Sequence, residues 1–143
     1  HYMLSGEELT DPVIESVRGM EGIRETRVTI AGKEIGVAVV NGVGNARKLL
    51  DEIKDGRDDI HFIEIMTCPG GCIAGGGQPR NNSGENIRAR QQALYQIDTG
   101  ATVRTSHQNR AVQELYEEFL EKPLSKKSHE LLHTNYKKRE VLL

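Results

Sequence analysis

From Thr26 to Val40 the chain first alternates and then runs apolar. TRVTI puts polar and apolar side chains on opposite faces, Ala31-Gly32-Lys33 forms a short turn, and EIGVAVV is apolar on both faces. Two such runs around a glycine-containing turn predict a β-hairpin whose second strand lies inside a sheet. Asn41-Gly42-Val43-Gly44-Asn45 follows, and then the period changes. Ala46, Leu49, Leu50 and Ile53 recur at i, i+3, i+4 and i+7, which predicts a helix from Ala46 to about Lys54 with one apolar face. Asn45 is the expected N-cap and Gly56 the expected stop. IHFIEIM, residues 60–66, reads as the next strand. Strand, helix and strand of these lengths predict a βαβ crossover and a parallel pair.

On either side the pattern is weaker. Residues 7 to about 19 hold a helical turn or two around Pro12, with Ile14 and Val17 at helical spacing. Beyond Pro79 a polar loop (RNNSG) leads into helical patterns at about 85–97 and 108–121, the second with Val112, Leu115, Tyr116, Phe119 and Leu120 facing inward. The intervening IDTGATVRTSHQN has the period of neither helix and reads as an ordered connection. Pro123 breaks the chain, and Ser125 can cap a short last helix through Leu132. The expected class is α/β, a mixed sheet with a βαβ unit and flanking helices, followed by a helical C-terminal extension. The expected division is 4–79 and 80–143.

Composition narrows the reading. The 143 residues fit one domain or a piece of a larger one. Only 36% are apolar and 4% aromatic, with no tryptophan, so the core is modest or the chain buries surface against something else. A formal net charge of −2 supplies no basic excess for phosphates and argues against a nucleic-acid partner. Lys137, Lys138 and Arg139 read as a solvated tail. No run approaches the ~18 apolar residues of a membrane span. Without an apolar signal core the expected location is cytoplasmic, where a structural disulfide is disfavoured.

The two cysteines both fall in MTCPGGCIAGGGQP, residues 66–79. Zinc would need four ligands, and this stretch offers two thiols. His129 and His133 have the i, i+4 spacing of ligands on a helix, a spacing that capping and packing also use. A thioredoxin-like pair has two intervening residues, and here there are three. Two structural thiols in a tight loop remain the plain alternative. Five glycines among fourteen residues favour another chemistry: backbone that approaches a bulky inorganic group and aims N–H donors at its sulfides. Iron–sulfur clusters want soft thiolates and such hydrogen bonds. A 4Fe-4S cube takes four cysteines, so the site is real in kind but incomplete in number. GVGNAR, residues 42–47, has a phosphate-loop outline but lacks G-x-G-x-x-G and the Walker lysine, so it reads as a tight strand-to-helix turn.

EIMTCPGGCIAGGGQP resembles the third cluster-binding motif of the FeFe hydrogenases: an acidic residue, a methionine, Cys-x-x-Gly-Cys, then Gly-Gly-Gly-x-Pro. Glu64, Met66, Cys68, Gly71, Cys72, Gly75, Gly76, Gly77 and Pro79 all match. VAVVNGVGNARKLLDEIK and HFIEIM resemble the segment before that motif, and RARQQALYQID and SHELLHTNYKKR the region after it, which is a separate small subunit in some periplasmic members. The resemblance implies one lobe of the iron-only hydrogenase fold over 4–79 and a small-subunit-like extension over 80–143. It implies that Cys68 ligates the 4Fe-4S half of the H-cluster and that Cys72 bridges the cube to a diiron subcluster. Met66 would line the diiron pocket, and Gly70 and Gly71 would give the loop room and direct amides toward the cube. The implied activity is reversible reduction of protons to hydrogen.

Two earlier motifs of the family, of Thr-Ser-Cys-Cys-Pro and Met-Pro-Cys type, do not occur here. They supply the other two cube cysteines and the proton-relay cysteine. The implied partners are therefore an N-terminal remainder of the hydrogenase or a complementary subunit, with ferredoxin or NAD(P)-linked electron transfer, and the chain alone is expected to be inactive. The alternative is a non-catalytic relative kept for iron–sulfur assembly or sensing.

Overall fold

The computed structural model describes residues 1–9, 14–68 and 70–137. They form two compact units, His1–Gly100 and Ala101–Leu143. The turn expected around Pro12 and the basic residues Lys138 and Arg139 lie outside the described residues. A short helical turn, α1 (Tyr2–Ser5), begins the first unit, and Glu15–Val17 makes one 3-10 turn.

The first unit is built on three strands, β1 (Ile23–Ile30), β2 (Lys33–Asn41) and β3 (Phe62–Met66), in the order β1-β2-β3. β1 and β2 form the expected hairpin, with Val28 opposite Ile35 and Ile23 opposite Val40. Ala31 and Gly32 turn the corner at φ 48° and 76°, the double left-handed pair that suits a right-twisted hairpin. β2 and β3 run parallel, Val40 beside Ile65 and Asn41 beside Met66, with α2 (Val43–Lys54) between them in the chain.

The apolar seam is short and dense. Ala38, Val40, Ala46 and Leu49 are buried together, with Ile23, Ile53, Ile60 and Ile63 against them. Leu49 is 1% exposed and Val40 0%; full burial of such a side chain contributes about 1.5–3 kcal/mol. Leu50, expected on the same helical face, is 48% exposed. At 3.6 residues per turn it falls on the flank of the stripe whose centre is Leu49.

Two boundaries differ from expectation. Helix α2 starts at Val43, and its N-cap is Gly42 at φ 88°, so Asn45 sits inside the first turn. There its Nδ2 donates to the Asn41 carbonyl at 2.8 Å, tying helix to strand. Helix α3 (Gly84–Gly100) runs past Ile97 into what the sequence presented as connection. Contacts from far along the chain support that last turn: Arg18 pairs with Asp98 and lies over the Tyr95 ring at 4.6 Å, and Gly19 N–H donates to Tyr95 OH at 2.9 Å.

The alternation of a strand puts Arg24, Val39, Asn41 and Met66 on the sheet face opposite α2. Arg24 is 7% exposed, and its Nε and Nη1 are buried without a hydrogen-bond partner.

The second unit holds α4 (Arg110–Leu115), five residues of wider π-helical winding (Tyr116–Leu120) and α5 (Lys126–Leu132). Asn109 caps α4 by accepting from Ala111 N–H, and Ser125 caps α5 as expected, accepting from Ser128 N–H. Of the five residues expected to face inward, Leu120 is buried, whereas Leu115 and Phe119 are about half exposed. The change to π winding at Tyr116 shifts the following side chains off the regular helical stripe. His129 and His133 stack their rings, with centroids 4.6 Å apart. No helix among the described residues is long and apolar enough to cross a membrane.

Candidate metal centre

β3 delivers the chain to Met66, and the cysteine loop begins there. The loop's root is fixed from the neighbouring turn, where Gly42 N–H donates to the Met66 carbonyl at 2.7 Å. The glycine-rich turn after β2 thus braces the end of β3, the role of a strand-to-helix turn.

The loop then folds on itself. Gly71 N–H donates to the Cys68 carbonyl at 3.0 Å, and Cys72–Ala74 makes a 3-10 turn. Ala74, Gly75 and Gln78 donate in turn to the carbonyls of Gly71, Cys72 and Gly75 at 3.2–3.3 Å. Gly70 and Gly71 lie at φ 79° and 74°, successive left-handed residues that a side chain would strain.

At two glycines a side chain would also come close to a sulfur. A Cβ on Gly71 would stand 3.0 Å from Met66 Sδ and 3.2 Å from Asn41 Oδ1. One on Gly75 would stand 3.1 Å from Cys68 Sγ. Among the described residues nothing lies within 4 Å of a Cβ on Gly76 or Gly77, so packing there does not demand them, although Gly77 at φ 87° favours glycine by conformation. Both cysteines are free thiols, Cys68 half-buried and Cys72 exposed.

Beneath the loop lies Asn41, 2% exposed. Its Nδ2 donates to the Glu21 carbonyl at 3.0 Å, while its Oδ1, on the Gly71 side, is buried without a partner among the described residues. A buried acceptor left open is costly and calls for an explanation.

From the other side α3 reaches the loop through Arg90. Its Nη1 donates to the Ile73 carbonyl at 3.0 Å and to Asn82 Oδ1 at 2.9 Å. Its Nη2 donates to the carbonyls of Pro79 and Asn81 at 3.3 and 3.0 Å. Asn82 in turn donates to the Ala74 carbonyl at 3.4 Å. No spacing along the chain signals this contact: Arg90 sits in a polar helix beside Arg88, and nothing in the sequence sets it apart.

The predicted residues Met66, Cys68, Gly70, Gly71 and Cys72 thus belong to one short segment. Among the described residues no three of the His, Cys, Asp and Glu side chains gather as a metal-binding group. The His129 and His133 pair stacks, the packing use of that spacing. The donor chemistry is two soft thiols, suited to iron–sulfur or another thiophilic metal. Their surroundings are glycines that cannot be enlarged without meeting Met66 or Cys68, beside an open buried acceptor. Those features fit a bulky group seated over the loop.

Comparison with known proteins gives consistent matches. Residues 1–76 match the family described as iron only hydrogenase large subunit, C-terminal domain, and residues 84–139 the one described as iron hydrogenase small subunit. An NADP-reducing hydrogenase subunit of Solidesulfovibrio fructosivorans is 47% identical over 99% of the chain and 24% of its own length. Iron hydrogenase 1 of Clostridium pasteurianum is 39% identical over 92% of the chain, again 24% of its own length. A probable cytosolic Fe-S cluster assembly factor of Drosophila ananassae is 38% identical over 74% of the chain and 22% of its own length. Among solved structures, an FeFe hydrogenase from Chlamydomonas reinhardtii superposes with a TM-score of 0.73 at 37% identity, covering 94% of this chain and 41% of that one. The chain therefore spans about a quarter of the length of the curated relatives it matches.

Proposed function

The chain belongs to the iron-only hydrogenase family, matching the C-terminal domain of its large subunit, and from that membership we propose that it supplies one wall of a hydrogenase's H-cluster site. Cys68 and Cys72 would be the thiolate ligands, Cys68 holding a 4Fe-4S cluster and Cys72 holding both that cluster and a diiron subcluster. When bound, this group would relay electrons from an external donor to an iron site at which protons are reduced to hydrogen.

The observation that carries the reading is the loop's steric economy: a Cβ on Gly71 would stand 3.0 Å from the Met66 sulfur and one on Gly75 3.1 Å from the Cys68 sulfur. Met66, half-buried at the end of β3, would line the diiron pocket and keep water from it. Gly70 and Gly71 hold the backbone in the left-handed turn. Two cysteines are half of a cube's usual four, so the site is completed by an N-terminal remainder or by a complementary subunit. A ferredoxin or NAD(P)-linked subunit would exchange electrons with it, and the NADP-reducing relative supports the second. The division into a lobe over 4–79 and an extension over 80–143 is supported by family matches that end at 76 and resume at 84. A cytoplasmic setting suits free thiols.

The test is anaerobic reconstitution with iron and sulfide, followed by hydrogen evolution from a strong artificial donor. The 143 residues alone are expected to be inactive, and activity from them would refute the shared site. Joined to the N-terminal remainder, the assembled enzyme is expected to evolve hydrogen and show infrared bands of iron-bound carbonyl and cyanide. The assembly-factor relative favours a second reading. A reconstituted cluster without those bands would select it.

A further inference from the structure

We propose that Arg90 is the positioning residue of the cysteine loop, holding Cys68 and Cys72 in place from a helix that carries neither. This deepens the proposed function and rests on the reading of the loop as a ligand-bearing segment.

Arg90 projects from α3, seventeen residues beyond Ile73. Its guanidinium donates to three carbonyls, those of Ile73, Pro79 and Asn81, and to the Asn82 side chain. These acceptors flank the loop: Ile73 lies directly after Cys72, and Pro79 to Asn82 lead into α3. The stretch between them contains Gly75, Gly76 and Gly77, which contribute no order of their own. The loop's own hydrogen bonds are short-range, each joining residues three apart in the chain. They set local turns but do not attach the loop to any element beyond it. Arg90 provides that attachment on the C-terminal side, as the Gly42 bond to Met66 does on the N-terminal side. A planar guanidinium with five donors can span several carbonyls at once, whereas an ammonium of three donors on a flexible stem cannot hold the same fan.

Arg90 also lies within the stretch that matches the small-subunit family, while both cysteines lie within the stretch that matches the large-subunit family. The contact therefore makes the loop's geometry depend on the extension. Arg90 touches no ligand atom; it acts on the thiols through the Ile73 carbonyl and the backbone of 79–82.

The experiment uses the 143-residue chain, hydrogen–deuterium exchange resolved by residue, and the variants Arg90→Ala, Arg90→Lys and Asn82→Ala. The reporters are the bonded amides of Gly71, Ala74, Gly75 and Gln78, with the β1–β3 amides as the control. Loss of a charge-assisted contact predicts about a tenfold rise in loop exchange for Arg90→Ala, with the sheet unchanged. Arg90→Lys is expected to recover part of the protection, and Asn82→Ala to give a smaller rise. Alkylation of half-buried Cys68 by iodoacetamide should quicken in the same order. Loop exchange that stays at the parent rate in both alanine variants overturns the proposal. So does an equal rise in sheet and loop for Asn82→Ala, which would mark a merely structural role. None of these readouts requires iron. A loop that loosens in a chain whose assembled enzyme lacks the infrared bands keeps the positioning role and removes the H-cluster reading. An unchanged loop in a fully active enzyme does the reverse.

Discussion

The β2–α2 seam and the cysteine loop meet at the end of β3, and the chain holds them by opposite means. In the seam, Ala38, Val40, Ala46 and Leu49 interlock with almost no exposure, and the backbone conformation follows from packing. In the loop the only buried residue between Thr67 and Pro79, among those described, is Gly71. Position there comes from left-handed turns, four short-range amide bonds and one arginine. A packed seam resists change in side-chain volume. A hydrogen-bonded loop tolerates loss of side chains and fails when one is added.

The largest expected effect tests the first half of that contrast. Leu49→Ala leaves a cavity in the dense packing of the sheet unit and is expected to cost about 3 kcal/mol, read as a fall in the urea midpoint followed by circular dichroism. The same truncation applied to exposed Ile65 or Phe62 should cost far less. Equal costs would mean that the seam is not where the stability resides.

Gly71→Ala tests the second half. The residue is held at φ 74°, and the added methyl meets Met66 Sδ at 3.0 Å. The left-handed conformation alone costs an alanine roughly 1–2 kcal/mol. The expected result is a moderate loss of stability together with a large loss of iron retained by the assembled enzyme. Gly76→Ala meets nothing within 4 Å and should be nearly silent in stability. If both glycines respond alike, composition matters there and shape does not.

Cys68→Ser and Cys72→Ser sharpen the contrast further. Neither thiol is fully buried, so each change is expected to move stability by no more than about 0.5 kcal/mol. Iron content of the assembled enzyme should nevertheless collapse. A stability loss approaching that of Leu49→Ala would return the cysteines to the role of packing residues.

The same division decides what could be read from the chain itself. The hairpin and α2 were legible because burial imposes a period, and the period survives in the order of residues; β3, with Phe62 and Ile65 exposed, was legible as a short apolar run. Ser125 was legible as a cap because a hydroxyl before a helix has a local partner, here Ser128 N–H. The last turn of α3 was not, since Asp98 and Tyr95 are supported by Arg18 and Gly19, far away in sequence. Asn45 was misplaced by three residues because Gly42, with positive φ, took the cap position. At the site, the cysteines and their methionine were legible as a motif, whereas Arg90 and Asn41 were not. Both act through backbone carbonyls and buried space, which leave no spacing rule behind.

The smallest effect concerns a third means of support, surface charge, at the other end of β3. Arg57, in the connection before the strand, pairs with Glu25 of β1 and Glu52 of α2 and with Asp59 beside it. Hydrogen bonding from Arg57 is the main reason that the Asp59 carboxyl lies below its ordinary value of 3.8; the charges of Arg57 and Arg27 add to it and desolvation opposes it. A carboxyl whose folded pKa is depressed adds stability above its unfolded value, and that stability disappears as pH falls through the folded one. The window is therefore below pH 3.8. In urea midpoints measured from neutral pH downward, the parent chain should fall more steeply than Asp59→Asn once that window is entered, and salt should narrow the difference because the groups are partly exposed. Loop exchange at Gly71 and Gly75 should not differ between the two proteins, since Asp59 contacts neither the loop nor Arg90. Parallel midpoints would remove Asp59 as a support. A change in the loop would show that the two ends of β3 are not independent, and the contrast between packed seam and tethered loop would have to include the strand that joins them.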